Sequence, residues 1–203
     1  MNDEEFIQQR IRDLEESVRS FSSSGKQEGE RWVVNSFIEN LRIEFTPEEI
    51  ISPDDDPPDV VFRDARFEVK EIMDEGRERH REYKEELERV KTITDPKDLL
   101  KLFRPKTMTI QEVYERCVGR VEFLKNKYDQ KTKSSLDLLL YVNLVDVMGL
   151  TEKPFPNAKQ LFTSGWRSIS FVKGQRSCCF YAHTSAPKFI KDAVGRISHL
   201  HPR

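Results

Sequence analysis

Two short alternating runs, Asp59-Val60-Val61-Phe62-Arg63 and Arg66-Phe67-Glu68-Val69-Lys70-Glu71-Ile72, stand on either side of Asp64-Ala65. Alternation with a period of two sends successive side chains to opposite faces of a strand, so the pair predicts an antiparallel hairpin. With Asp64-Ala65 at the tip, Asp59 faces Lys70 and Val61 faces Glu68. Asp59, Glu68 and Lys70 then share one face, while Val60, Phe62, Phe67 and Val69 supply a core on the other. A slip of one residue on either strand would take Asp59 away from the other two. The preceding Asp54-Asp55-Asp56-Pro57-Pro58 reads as a loop, because prolines and clustered acids resist both helix and sheet.

Around this hairpin the apolar spacing predicts helices. Phe6, Ile7, Ile11, Leu14 and Val18 define an amphipathic helix over 3–21, closed by Ser22-Ser23-Ser24-Gly25, and Val33, Val34, Phe37, Ile38 and Leu41 define a second over 26–41. Short strands are expected on either side of Pro47. The charged stretch from Gly76 to Lys91 keeps helical spacing at Tyr83, Leu87 and Val90, a short helix is expected over 95–103, and a longer one over 109–128. The apolar run 136–148 predicts a central strand. A second hairpin pairs 166–172 with 178–183 around Lys173-Gly174-Gln175-Arg176, and 187–200 is expected as a closing helix. This order gives an α+β fold, a mixed β-sheet flanked by helices. At 203 residues the expectation is a single domain, with 1–22 as an N-terminal helical appendage, 26–148 as the core that holds the site, and 152–203 as a basic C-terminal hairpin and helix.

Composition narrows the class. No apolar run is long enough to span a bilayer, and the chain starts on the acidic Met1-Asn2-Asp3-Glu4-Glu5, so a cytoplasmic protein with no membrane partner is expected. Three cysteines, two of them adjacent at 178 and 179, form neither a disulfide framework nor a zinc motif. The net charge of -2 is not that of a typical nucleic-acid binder. Its distribution says more: residues 152–203 carry nine Lys or Arg against two acids, near +7, which leaves the rest near -9. Trp166, Arg167, Lys173, Arg176 and Lys188 interleave aromatic and basic groups in that basic region, as a nucleic-acid-binding surface does.

Two carboxylates brought this close repel unless a cation lies between them. Mg²⁺ or Mn²⁺ suits carboxylate oxygens and keeps waters, and a lysine beside it can stabilise charge on an attacked phosphate or orient the water. Pro58-Asp59 followed by Glu68-Val69-Lys70 on a hairpin, after a helix bearing a glutamate, resembles the PD-(D/E)XK nuclease superfamily. The whole chain also resembles the bacterial domain of unknown function 1780 family, described as endonucleases. The resemblance implies a restriction-endonuclease-like core and a metal-dependent nuclease acting on nucleic acid, DNA first. It implies Asp59 and Glu68 as metal ligands, Lys70 as the assisting cation, and a helix carboxylate, Glu30 or alternatively Glu28, completing the site.

Other motifs carry less. Asp54-Asp55-Asp56 lacks EF-hand spacing and its glycine and reads as a solvated loop. Glu71 points away from the Glu68 face. No phosphate-cradling glycine loop, serine elbow or Cys/His catalytic pair is present. The competing reading is a non-catalytic binding or regulatory module on a nuclease-like fold, a homodimer joined through the helix over 3–21.

Overall fold

The structure, a computed structural model, describes residues 2–20, 25–100 and 104–200. The serine tract 22–24 and residues 101–103, the end of the short helix expected over 95–103, lie outside the described residues. The chain divides into two compact units, Met1–Gly29 with Asp74–Arg104, and Glu30–Met73 with Pro105–Arg203.

In the first unit, α1 (Asp3–Ser20) meets α3 (Arg79–Lys91). Ile7 and Leu14 pack with Leu87 and Val90, so the charged helix hides a narrow apolar stripe and leaves its acids and bases to (i, i+3) and (i, i+4) pairs such as Lys91–Glu88 at 2.8 Å. A 3₁₀ turn follows over Pro96–Leu99, started by Asp95, whose side chain accepts from the Lys97 N–H at 2.9 Å.

The second unit is a seven-stranded mixed sheet flanked by helices. Its strands are β1 (Ile50–Ile51), β2 (Val60–Phe62), β3 (Ala65–Ile72), β5 (Asp137–Val142), β7 (Ser168–Lys173), β8 (Arg176–Ala182) and β9 (Ile197–His199), side by side in that order. β3, β5 and β7 run parallel at the centre, and antiparallel hairpins finish both sides. β5 is buried on both faces, as its unbroken Leu138-Leu139-Leu140 predicts. On one face α2 (Lys26–Asn40) sets Val33, Val34, Phe37 and Ile38 against Phe67, Val69 and Leu139. On the other, α4 (Ile110–Phe123) sets Ile110, Val113, Cys117 and Val121 against Leu138, Leu140 and Phe171. Thr109 caps α4 through a reciprocal pair with Glu112, the Thr–x–x–Glu signature of a helix start. Cys178 and Cys179, neighbours on β8, enter opposite cores, and with Cys117 they are buried thiols. Burial pushes all three up, Cys179 to about 12.

Several expectations need correction. The apolar run 136–148 is not one strand. It turns after Val142 through Asp146, which adopts φ 61°, and resumes as β6 (Val147–Thr151), paired with β4 (Lys106–Thr109) in a separate two-stranded sheet. Around Pro47 only the later strand exists, because the proline opens a 3₁₀ turn over Pro47–Glu49. The closing helix over 187–200 is only α6 (Lys188–Asp192). Gly195 takes φ 75° and donates to the Cys179 carbonyl at 3.0 Å, which turns the chain into β9. A short helix, α5 (Gln130–Ser135), capped by Asp129, follows the turn after α4.

Candidate metal centre on the first hairpin

The hairpin forms, with its register displaced by two residues from expectation. Val60 pairs with Phe67, Val61 with Arg66 and Phe62 with Ala65, so the tip is Arg63-Asp64 and Ala65 is a buried strand residue. Arg63 adopts φ 53°, which costs a non-glycine residue about 1–2 kcal/mol. Its guanidinium is held by Glu49 at 2.7 Å and by the Glu44 carbonyl at 2.8 Å. A shift of two residues preserves the alternation, so Asp59 comes opposite Glu68 instead of Lys70 and every side chain keeps its face.

Phe67 and Val69 therefore enter the α2-side core, while Glu68 and Lys70 lie on the α4 side with Ile72. Glu68 and Asp59 are both buried, unusual for carboxylates. Asp59 Oδ2 accepts from the Val69 N–H at 2.8 Å and from Lys70 Nζ at 3.0 Å. Lys70 Nζ also pairs closely with Glu68 Oε1, so one ammonium bridges the two acids. Asp56, from the exposed loop before the hairpin, completes a group of three carboxylates whose ligand oxygens lie within 4.8 Å of one another.

Tyr128, after α4, donates its hydroxyl to Glu68 Oε1. Burial, that hydrogen bond and the charges of Glu68, Asp59 and Asp56 push its phenol well above the usual range, which keeps it a donor. Its ring stands edge-on to buried Trp166 at 5.4 Å, so Trp166 is a core residue. Glu68 Oε2, by contrast, is buried with no hydrogen-bond partner among the described residues.

These donors fit a hard divalent cation. Oxygens bound to one Mg²⁺ at 2.0–2.1 Å lie at most about 4.2 Å apart. Adjacent ligands on an octahedral ion lie about 2.9 Å apart, so carboxylate oxygens within 4.8 Å of one another would draw in around it, a movement that exposed Asp56 is freest to make. The unpartnered Glu68 Oε2 is the atom a cation would satisfy. Glu30 is half-buried on α2, the helix that packs against the Phe67–Val69 face, and is not one of the three clustered carboxylates; Glu28 is exposed on the same helix.

Of the basic residues, Lys173 and Arg176 are brought face to face at the end of β7–β8, and each of the four is engaged within the fold. Arg167 is fixed to buried Asp137 through two nitrogens, and reaches the Asp64 carbonyl at 3.1 Å. Asp137 also accepts from Ser168 Oγ and the Arg66 N–H, so this ion pair ties three strands together. Lys173 donates to the Val147 carbonyl at 2.5 Å, and desolvation, then the charge of Arg176, lowers its pKa. Arg176 lies 3.6 Å from Glu152, and Lys188, exposed on α6, pairs with Asp192 at 2.5 Å. Asp56, which the sequence places in a solvated loop, and Tyr128, which it does not single out, join the candidate site. Asp56 had the signal of its acidic run; Tyr128, sixty residues from Glu68 along the chain, had none.

Among the described residues no helix is long and apolar enough to cross a membrane. No curated protein matches the chain. A solved structure, a protein of unknown function, PA4535 from Pseudomonas aeruginosa strain PAO1, described as of the monooxygenase superfamily, is similar at 26% identity and a TM-score of 0.65, over 98% of this chain and 96% of that one. Residues 2–203 match the family described as "Putative endonuclease, protein of unknown function (DUF1780)", and the chain belongs to that family.

Proposed function

We propose that the protein is a divalent-metal-dependent nuclease with a PD-(D/E)XK-type centre on the β2–β3 hairpin. The observation that carries this reading is the convergence of buried Asp59 and Glu68 with Lys70 on one face, joined by Asp56. The endonuclease description of the family supports it.

Asp56, Asp59 and Glu68 would hold Mg²⁺ or Mn²⁺, with Asp56 in the place the sequence resemblance gave to Glu30. When bound, the ion polarises a phosphoryl oxygen and acidifies a water. The protein's own groups do the rest. The Val69 N–H aims Asp59, and Tyr128 holds Glu68 by Oε1 so that Oε2 stays available. Lys70, fixed between the two acids, offers a positive charge where negative charge grows on the attacked phosphate, and orients the attacking water. The substrate is nucleic acid, DNA in the first instance.

Calorimetric titration with Mn²⁺, run beside cleavage of labelled DNA, tests the reading. Wild type should bind the ion and cut, and Glu68→Ala and Asp59→Ala should lose metal binding and about 10³-fold or more in cleavage. Metal binding that survives both substitutions would remove the basis for the proposal. Binding by a wild type that cuts nothing, with Lys70→Ala indistinguishable from it, leaves the non-catalytic module instead.

A further inference from the structure

The α4 side of the sheet also bears a cleft of about 340 Å³, within the size range of small-ligand pockets. Glu122 and Lys125 line it from α4 and the turn after it, Gln130 and Lys133 from α5, and Gln160 and Ser164 from the 3₁₀ segment Ala158–Thr163 and the residue after it. Gly165, at φ 89°, brings the backbone so close to Gln130 that a Cβ there would lie 2.5 Å from its Oε1. Gly165 thus leaves room for the exposed Gln130 side chain beside the cleft.

Lys133 is the unusual member. It is only 7% exposed, and its Nζ donates to the Lys125 carbonyl at 3.1 Å. No carboxylate among the described residues pairs with it, and the nearby Lys125 is occupied by Glu122 at 3.0 Å. A buried ammonium with one carbonyl partner is expensive to keep, and it calls for a counter-charge from outside the chain. The Gln130 and Gln160 amides around it suit the remaining oxygens of an oxyanion, whereas the Ser164 hydroxyl is already given to the Leu161 carbonyl at 2.6 Å.

We propose that this cleft binds a backbone phosphate of the nucleic acid, with Lys133 as the anchoring charge. The inference rests on the nuclease reading and deepens it, because packed residues link the wall of the cleft to the metal centre. Ser164 and Gly165 lead into Trp166, Trp166 meets Tyr128, and Tyr128 bonds Glu68. The Lys133 carbonyl also accepts from the Arg167 N–H at 3.1 Å, fixing α5 to the start of β7. The strand's phosphates engage here, and not at Arg167 and Arg176, whose charges Asp137 and Glu152 already meet.

Anisotropy of a fluorescein-labelled DNA duplex, measured in EDTA over a range of salt, tests the site apart from metal and cleavage. Lys133→Met should weaken binding about tenfold and lower the slope of log K against log salt by about 0.9, the value of one phosphate contact. Lys133→Arg should bind like wild type, which separates lost charge from lost packing, and Glu68→Ala should keep the wild-type slope. Unchanged affinity and slope in a folded Lys133→Met overturn the phosphate site while leaving the metal titration to judge the nuclease reading. Inorganic phosphate that binds wild type but not Lys133→Met, with duplex affinity equal in both, overturns it in favour of a free-phosphate site.

Discussion

The two long hairpins of the sheet use charge in opposite ways. In β2–β3, Glu68 and Lys70 sit inside the strand, where alternation aims them at one face, and with Asp59 and Asp56 they form a concentrated ionic centre. In β7–β8 the strand interior is buried on both faces, and Lys173 and Arg176 are displaced to the last rung, where they face each other. There they find a carbonyl and a carboxylate. A charge in mid-strand has resisted desolvation and needs a reason; a charge at a strand end finds a carbonyl or carboxylate nearby and serves the fold. Totals such as +7 for 152–203 cannot make that distinction, because they ignore who is paired.

Arg167 offers the harshest way to break the contrast. Arg167→Met would leave buried Asp137 with its charge uncompensated, and breaking such a pair costs about 3–5 kcal/mol. Urea unfolding followed by tryptophan fluorescence should show that loss, with DNA affinity of the folded protein unchanged. A stable Arg167→Met protein that has lost DNA affinity would mean that the second hairpin holds substrate after all.

Lys70 comes next. Lys70→Met should reduce cleavage about 10²–10³-fold, the usual effect of removing one group that stabilises transition-state charge. It should retain Mn²⁺ binding, and Mn²⁺ should raise its melting temperature more than that of wild type, since only the ion then separates Asp59 from Glu68. Arg176→Met, taken from the other hairpin, should cleave within about twofold of wild type.

How far the sequence reached follows from the range of each signal. Parity along a strand is local, so the shared face of Asp59, Glu68 and Lys70 was legible and survived a register error of two residues. The error arose at the turn, because the φ 53° of Arg63 depends on Glu49 and the Glu44 carbonyl, which no local pattern announces. Phe189, Ile190, Ala193 and Val194 do keep helical spacing, yet pairing with Cys179 ends α6 early, a tertiary override of propensity. Asp56 was legible as an acid and not as a neighbour of Asp59 and Glu68, since a loop carries no parity. Tyr128 and Lys133 depend on how the segment after α4 closes over the sheet, which sequence spacing does not encode.

Tyr128 gives a milder test of the first hairpin. Tyr128→Phe removes one hydrogen bond to a charged acceptor, worth about 1.5–3 kcal/mol, and leaves Glu68 to be oriented at the expense of metal binding. The expected result is about a tenfold weaker Mn²⁺ affinity, with cleavage restored at saturating metal. Equal loss at all metal concentrations would instead place the phenol in the chemistry.

Lys173 gives the smallest effect, and it tests whether the second hairpin's charge is merely tolerated. Its folded pKa is lowered, so between that value and the ordinary 10.5 the unfolded chain binds more protons, and stability rises with pH as the penalty of the buried charge is relieved. The buried cysteines work in the other direction. Their folded pKa values are raised from 9.0, so above about pH 9 the folded chain holds more protons and stability falls. The two trends overlap, which makes the wild-type profile alone uninformative. The difference between wild type and Lys173→Met isolates the lysine, because the cysteines are common to both. Melting curves should show Lys173→Met equal to or slightly more stable than wild type at pH 7, by less than about 1 kcal/mol, with that advantage vanishing as the pH approaches 10.5. A variant less stable at pH 7 would show that the bond from Lys173 to the Val147 carbonyl outweighs its desolvation, and that this charge is a fastener of the fold.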